Sequence, residues 1–87
     1  MLDQLTDVHR QRLKLAAIEA AKGRDLTFQR EDGGAGKQLV WYRNDGARQV
    51  VLASEGPGFG EMCDQAQREF GAMLSAALEA RHKEAVA

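Results

Sequence analysis

The chain is short of the residues on which several kinds of protein depend. Cys63 is its one cysteine, so no disulfide can close within the chain, whereas small secreted domains normally lean on several. A reducing, cytoplasmic setting is therefore the expectation. The stretch "MLDQLTDVHRQR" intersperses charges where a signal peptide would carry an apolar run. No apolar run elsewhere approaches the ~18 residues of a membrane helix. Charge of either sign is not in excess: 12 Lys and Arg against 13 Asp and Glu leave a formal net charge of −1. Such a balance exerts no global pull on nucleic acid or anionic lipid, so any basic patch must be local. The two histidines, His9 and His82, and Cys63 lie far apart with no ligand spacing, which argues against a metal centre. No cofactor motif is present.

What the chain does contain is enough apolar residue for one core. At 87 residues, 44% hydrophobic and 29% charged, it reads as one globular α+β domain spanning 1–87, and a disordered chain would be poorer in apolar residues. A domain of this size buries somewhat over about 60% of the surface its unfolded chain exposes, so the core is thin.

Periodicity places five elements. Residues 5–22 are strong helix formers, with Leu5, Val8, Leu15 and Ile18 at helical spacing and Gly23 placed to terminate them. Asp3 or Thr6 is the candidate N-cap, and neither is followed three residues later by Glu or Gln. Leu2, Leu13 and Ala16 widen the apolar arc, which predicts two packing surfaces on this helix. Strands are expected at about 24–31, 37–44 and 48–54, followed by a helix at about 59–82. "KQLVWYRN" is apolar on both faces, with Leu39 and Trp41 pointing one way and Val40 and Tyr42 the other. Asp45-Gly46 marks a second hairpin whose register stays open: a two-residue loop pairs Trp41 with Val50, and a three-residue loop pairs Val40 with Val50. The expected fold is α-β-β-β-α, a three-stranded antiparallel meander packed with two helices.

The last helix carries Phe59, Cys63, Ala66, Phe70, Met73 and Ala77 as one stripe, widened by Met62, Leu74 and Leu78. A six-residue strand spans ~20 Å and a helix from Phe59 to Arg81 ~34 Å, so its end overhangs the sheet. Met73, Leu74, Ala77 and Leu78 then need cover from the first helix or from another chain. "KEAVA" is expected to fray. Gly71 breaks the helical pattern at about 1 kcal/mol relative to alanine and presents a small flank.

"QREDGGAGKQ" (29–38) looks at first like a phosphate-binding loop. The match fails at both ends: Glu31 stands where G-x-x-x-x-G-K-[ST] needs glycine, and Gln38 where it needs a hydroxyl. The stretch also joins two strands instead of a strand and a helix, so it reads as a mobile hairpin loop with Lys37 as a peripheral contact. Cys63, on the apolar stripe between Glu61 and Asp64, reads as a buried thiol and not as a nucleophile. No catalytic set emerges, and an enzyme is not expected.

The element order resembles that of double-stranded-RNA-binding domains. That resemblance implies contact with RNA through the loop between the first two strands and through the start of the last helix. Where that family has a lysine-rich motif this chain has "GFGEMCDQ", whose Glu61 and Asp64 would repel phosphates. The resemblance stops at element order.

Two function classes follow. The first is a non-catalytic protein-binding or adaptor module, a homodimer or a subunit of a larger assembly, with Trp41, Tyr42, Met73, Leu74, Ala77 and Leu78 as its contact residues. The second is nucleic-acid binding by the strand face, where Lys37, Arg43 and Arg48 stand among aromatics that can stack on bases.

Overall fold

The computed structural model describes residues 5–33 and 36–86, so the expected hairpin tip at 34–35, Leu2 and the alternative cap Asp3 lie outside them. The order is α1 (Asp7–Ala21), β1 (Leu26–Gly33), β2 (Gly36–Arg43), β3 (Arg48–Ser54) and α2 (Phe59–Val86). This is the expected α+β meander flanked by helices. Among the described residues, no helix is long and apolar enough to cross a membrane.

Thr6 caps α1, and its partner is a histidine. The Thr6 hydroxyl accepts from the His9 N–H at 3.3 Å, while His9 Nδ1 accepts from the Thr6 N–H at 3.1 Å. A neutral imidazole thus plays the role that Glu or Gln plays in a capping box. At the other end Gly23 takes φ of +86°, as a terminating glycine does.

β1 and β2 pair antiparallel from Leu26↔Arg43 to Gly33↔Gly36, without a break in register. The second hairpin closes on Gly46, at φ +95°, with Arg43 N–H donating to Ala47 O at 2.9 Å. Tyr42↔Arg48 and Val40↔Val50 are partners, the three-residue-loop alternative, but the register then shifts and Leu39 faces Leu52. Val51 is the extra residue of this β-bulge. The bulge lets two successive residues, Val51 and Leu52, both be fully buried.

Leu39 and Trp41 share one core with Leu13 and Ala16 of α1 and with Phe59, Met62, Cys63 and Ala66 of α2. Both helices therefore lie on the same face of the sheet. Along α2, Arg10 meets Glu69 at 2.8 Å, and further on Lys14, Ala17 and Ile18 border a groove with Met73, Ala76 and Ala77. Contacts advance together along both helices, so α1 and α2 run parallel. Small side chains at Ala16, Ala17 and Ala21 face inward and permit close packing.

The outer arc of α1 is where the apolar spacing led elsewhere. Leu13 is fully buried, whereas Val8 and Leu15 are 54% and 58% exposed and Ile18 is 38% exposed. The helix has two apolar sides, as its breadth predicts, and only the alanine-rich one meets the sheet. α2 also runs four residues past its expected end, with helical geometry through most of "KEAVA". From Leu78 to Ala85 its residues are exposed.

Candidate functional site

The six residues expected to meet a partner fall in four places. Of the alternating pair Trp41 and Tyr42, Trp41 is the one that faces the core and so drops out as a contact residue. It is only 8% exposed, because β2 is the central strand and its odd positions face both helices. Its indole N–H has no hydrogen-bond partner among the described residues. Tyr42 points the other way, onto the open face of the sheet.

There Tyr42 is tied down. Its hydroxyl donates to Glu31 Oε2, Arg48 Nη2 reaches Glu31 Oε1 at 3.2 Å, and the Arg48 guanidinium carbon stands 5.9 Å from the Tyr42 ring centroid. Arg48 also donates to Gln38 Oε1 at 3.5 Å. Glu31 pairs with Gln38 in the ladder, four residues along β2 from Tyr42. The ring and the guanidinium thus stretch along the strands above Val40, which explains why Val40 is fully buried on a face that no helix covers. The Tyr42 and Arg48 hydrogen bonds hold the Glu31 carboxyl below its usual range.

Met73 and Ala77 border the α1–α2 groove, an apolar trough of 310 Å³ shared with Lys14, Ala17, Ile18 and Ala76. Leu74 and Leu78 each sit one residue further along, about 100° around the helix. That turns them towards β1, the side on which Phe70 stacks edge-on against Phe28 at 4.8 Å. Leu74 is half-buried and Leu78 is 49% exposed.

The three basic residues do not converge. Arg43 lies on the helix side and is held by Asp45 at 2.6 Å and Glu19 at 3.2 Å. The Arg43 side chain, with the Ala47 N–H, brings the Asp45 carboxyl down to about 2. Arg48 belongs to the open-face network, and Lys37 stands at the end of the first hairpin. Both strongly paired arginines already have their carboxylates, which leaves them little to offer a phosphate.

Lys37 borders a second, polar groove of 890 Å³, where the hairpin end meets the loop before α2. This brings together the two elements that the RNA-binding resemblance singles out. Glu31, Asp32 and Glu55 line it against Arg30 and Lys37, and Arg30 is bonded to Asp64 at 3.0 Å. The local balance is acidic. Gly36 closes this end: its φ is +125°, and a Cβ there would stand 2.9 Å from Ser54 O and Glu55 Cγ.

Cys63 is fully buried on the core stripe, and desolvation raises its pKa. No group of three or more His, Cys, Asp or Glu side chains able to hold a metal occurs among the described residues.

Two features escape a reading of the sequence. The outer stripe of Val8, Leu15 and Ile18 is indistinguishable by spacing from a core stripe. The Glu31–Tyr42–Arg48 network joins residues far apart in sequence, and becomes visible only once both hairpin registers are known.

The chain matches no family model, no curated protein and no solved structure.

Proposed function

We propose that this chain is a non-catalytic protein-binding module, acting as an adaptor or as a subunit of an assembly, whose docking surface is its helical layer. One observation carries the reading: of the four exposed large hydrophobic residues among those described, Val8, Leu15 and Ile18 lie on α1. Ile18 also borders the α1–α2 groove, so the stripe and the trough form one apolar strip with Met73 and Ala77 at its far wall. Apolar strips of this kind on a helical layer accept an amphipathic partner through a few anchoring side chains. The burial of Cys63 in the core, which raises its pKa, supports the non-catalytic reading. Nucleic acid is the weaker alternative, because Arg43 and Arg48 are paired with carboxylates on opposite sides of the sheet.

The experiment is capture from a lysate of the native host, read by mass spectrometry, with wild-type protein and the Leu15→Glu and Ile18→Glu variants as baits. A protein retained by the wild type and lost from both folded variants is the expected result. An identical retained set on all three baits overturns the reading.

A further inference from the structure

We infer that two copies of this chain pair through the outer edge of β1, forming one six-stranded antiparallel sheet about a two-fold axis at Gln29. The inference is separate from the docking strip on α1, which lies on the other side of the molecule.

The two edges of the sheet are treated differently. β3 carries the bulge at Val51, and Arg12 of α1 donates to the Val51 carbonyl at 3.1 Å. Both devices close an edge to further strands. β1 has neither: it is eight residues long, in unbroken register, without proline or lysine, and its outer side meets no other strand among the described residues. Two of its three charged residues are drawn away from that edge, and the third, Asp32, stands exposed at its hairpin end. Arg30 is drawn down to Asp64 of α2, and Glu31 is drawn inward to Tyr42 and Arg48. The remaining run from Leu26 to Gln29 is uncharged.

The occupant follows from hydrogen-bond phase and charge. Asn44 N–H donates to Asp25 O at 3.2 Å, which sets the odd residues of β1 to bond β2 and leaves the N–H and C=O of Leu26, Phe28, Arg30 and Asp32 directed outward. An antiparallel copy satisfies them when even residues face even residues. A two-fold at Phe28 sets Asp25 opposite the copy's Glu31, and one at Arg30 sets Arg30 opposite itself. Centred on Gln29, the pairs are Phe28 with Arg30 and Thr27 with Glu31, and no like charges face each other.

The test is light scattering at tens of micromolar together with cysteine cross-linking. Gln29 is exposed, and at the axis it faces its own copy in a non-hydrogen-bonded pair with Cα atoms ~4.5 Å apart, inside the disulfide range. A mass of twice 9.6 kDa, rapid intermolecular disulfide formation in Gln29→Cys and a monomeric but folded Gln29→Lys are expected. Thr27→Cys serves as a control, since its two copies would lie ~14 Å apart along the strands and should not cross-link. A monomeric wild type overturns the inference. So does a dimer that survives Gln29→Lys and fails to cross-link at 29, which would place the contact on another face.

Discussion

Leu13 and Leu15 are chemically identical, two residues apart and on one helix, and the structure assigns them opposite fates. Leu13 is 0% exposed and Leu15 is 58% exposed. Truncating Leu13 to alanine removes core volume that the packed neighbours cannot refill, a loss of about 2–5 kcal/mol. At Leu15 only about four-tenths of the side chain is out of water. With ~1.5–3 kcal/mol for burying a whole leucine, its truncation costs about 0.6–1.2 kcal/mol. Helix propensity hardly separates the two residues and does not alter the contrast. Urea unfolding followed by the fluorescence of the single, buried Trp41 measures both. Total stability for a chain of this length is of order 4–13 kcal/mol, so Leu13→Ala should move the midpoint far down and Leu15→Ala only slightly. In a melt the difference is about 4–8 °C per kcal/mol. Equal losses at the two positions, at a concentration where the chain is monomeric, would refute the assignment of α1's inner and outer sides.

Three further outcomes are expected. Desolvation first, then Arg12 and Arg10, lower the His9 pKa below 6.5, so the unfolded chain binds more protons just below that value. Stability should fall as pH drops from about 6.5 through the lower folded pKa, and His9→Gln, which keeps a side-chain acceptor, should flatten that step in thermal melts. Glu31, Glu69 and Asp45 have lowered pKa values from their arginine and tyrosine hydrogen bonds, so a second loss should appear only at pH below their ordinary values, ending near 2 for Asp45. Gly36→Ala should destabilise by about 1–3 kcal/mol, because it adds a Cβ against Ser54 O at positive φ, while Gly71→Ala, helical and open, should stabilise by about 0.5–1 kcal/mol. Chemical denaturation of the pair checks both signs.

The candidate surfaces were only partly legible in the sequence. Met73 and Ala77 border an open trough whose other wall is Lys14, Ala17 and Ile18 of α1, and Leu78 stays exposed. Trp41 and Tyr42 could be assigned faces only relative to each other, since period-2 alternation says that neighbours oppose but not which one faces the helices. The basic residues looked like one patch because sequence distance hides that Arg43 and Arg48 project from opposite sides of the sheet and already have carboxylate partners.

Local physics, acting within a turn or a hairpin, determined the order and type of the elements. Helix formers ended by Gly23, alternation in the three strands and Asp45-Gly46 at a turn are decided by neighbours within a few residues. Packing decided the rest. Which side of α1 is inner depends on the alanines that let it approach α2, and the burial of both Val51 and Leu52 depends on a bulge opposite Leu39 and Val40. The roof over Val40 depends on side chains from all three strands. These are contacts between residues distant in the chain, and only the assembled sheet brings them within reach.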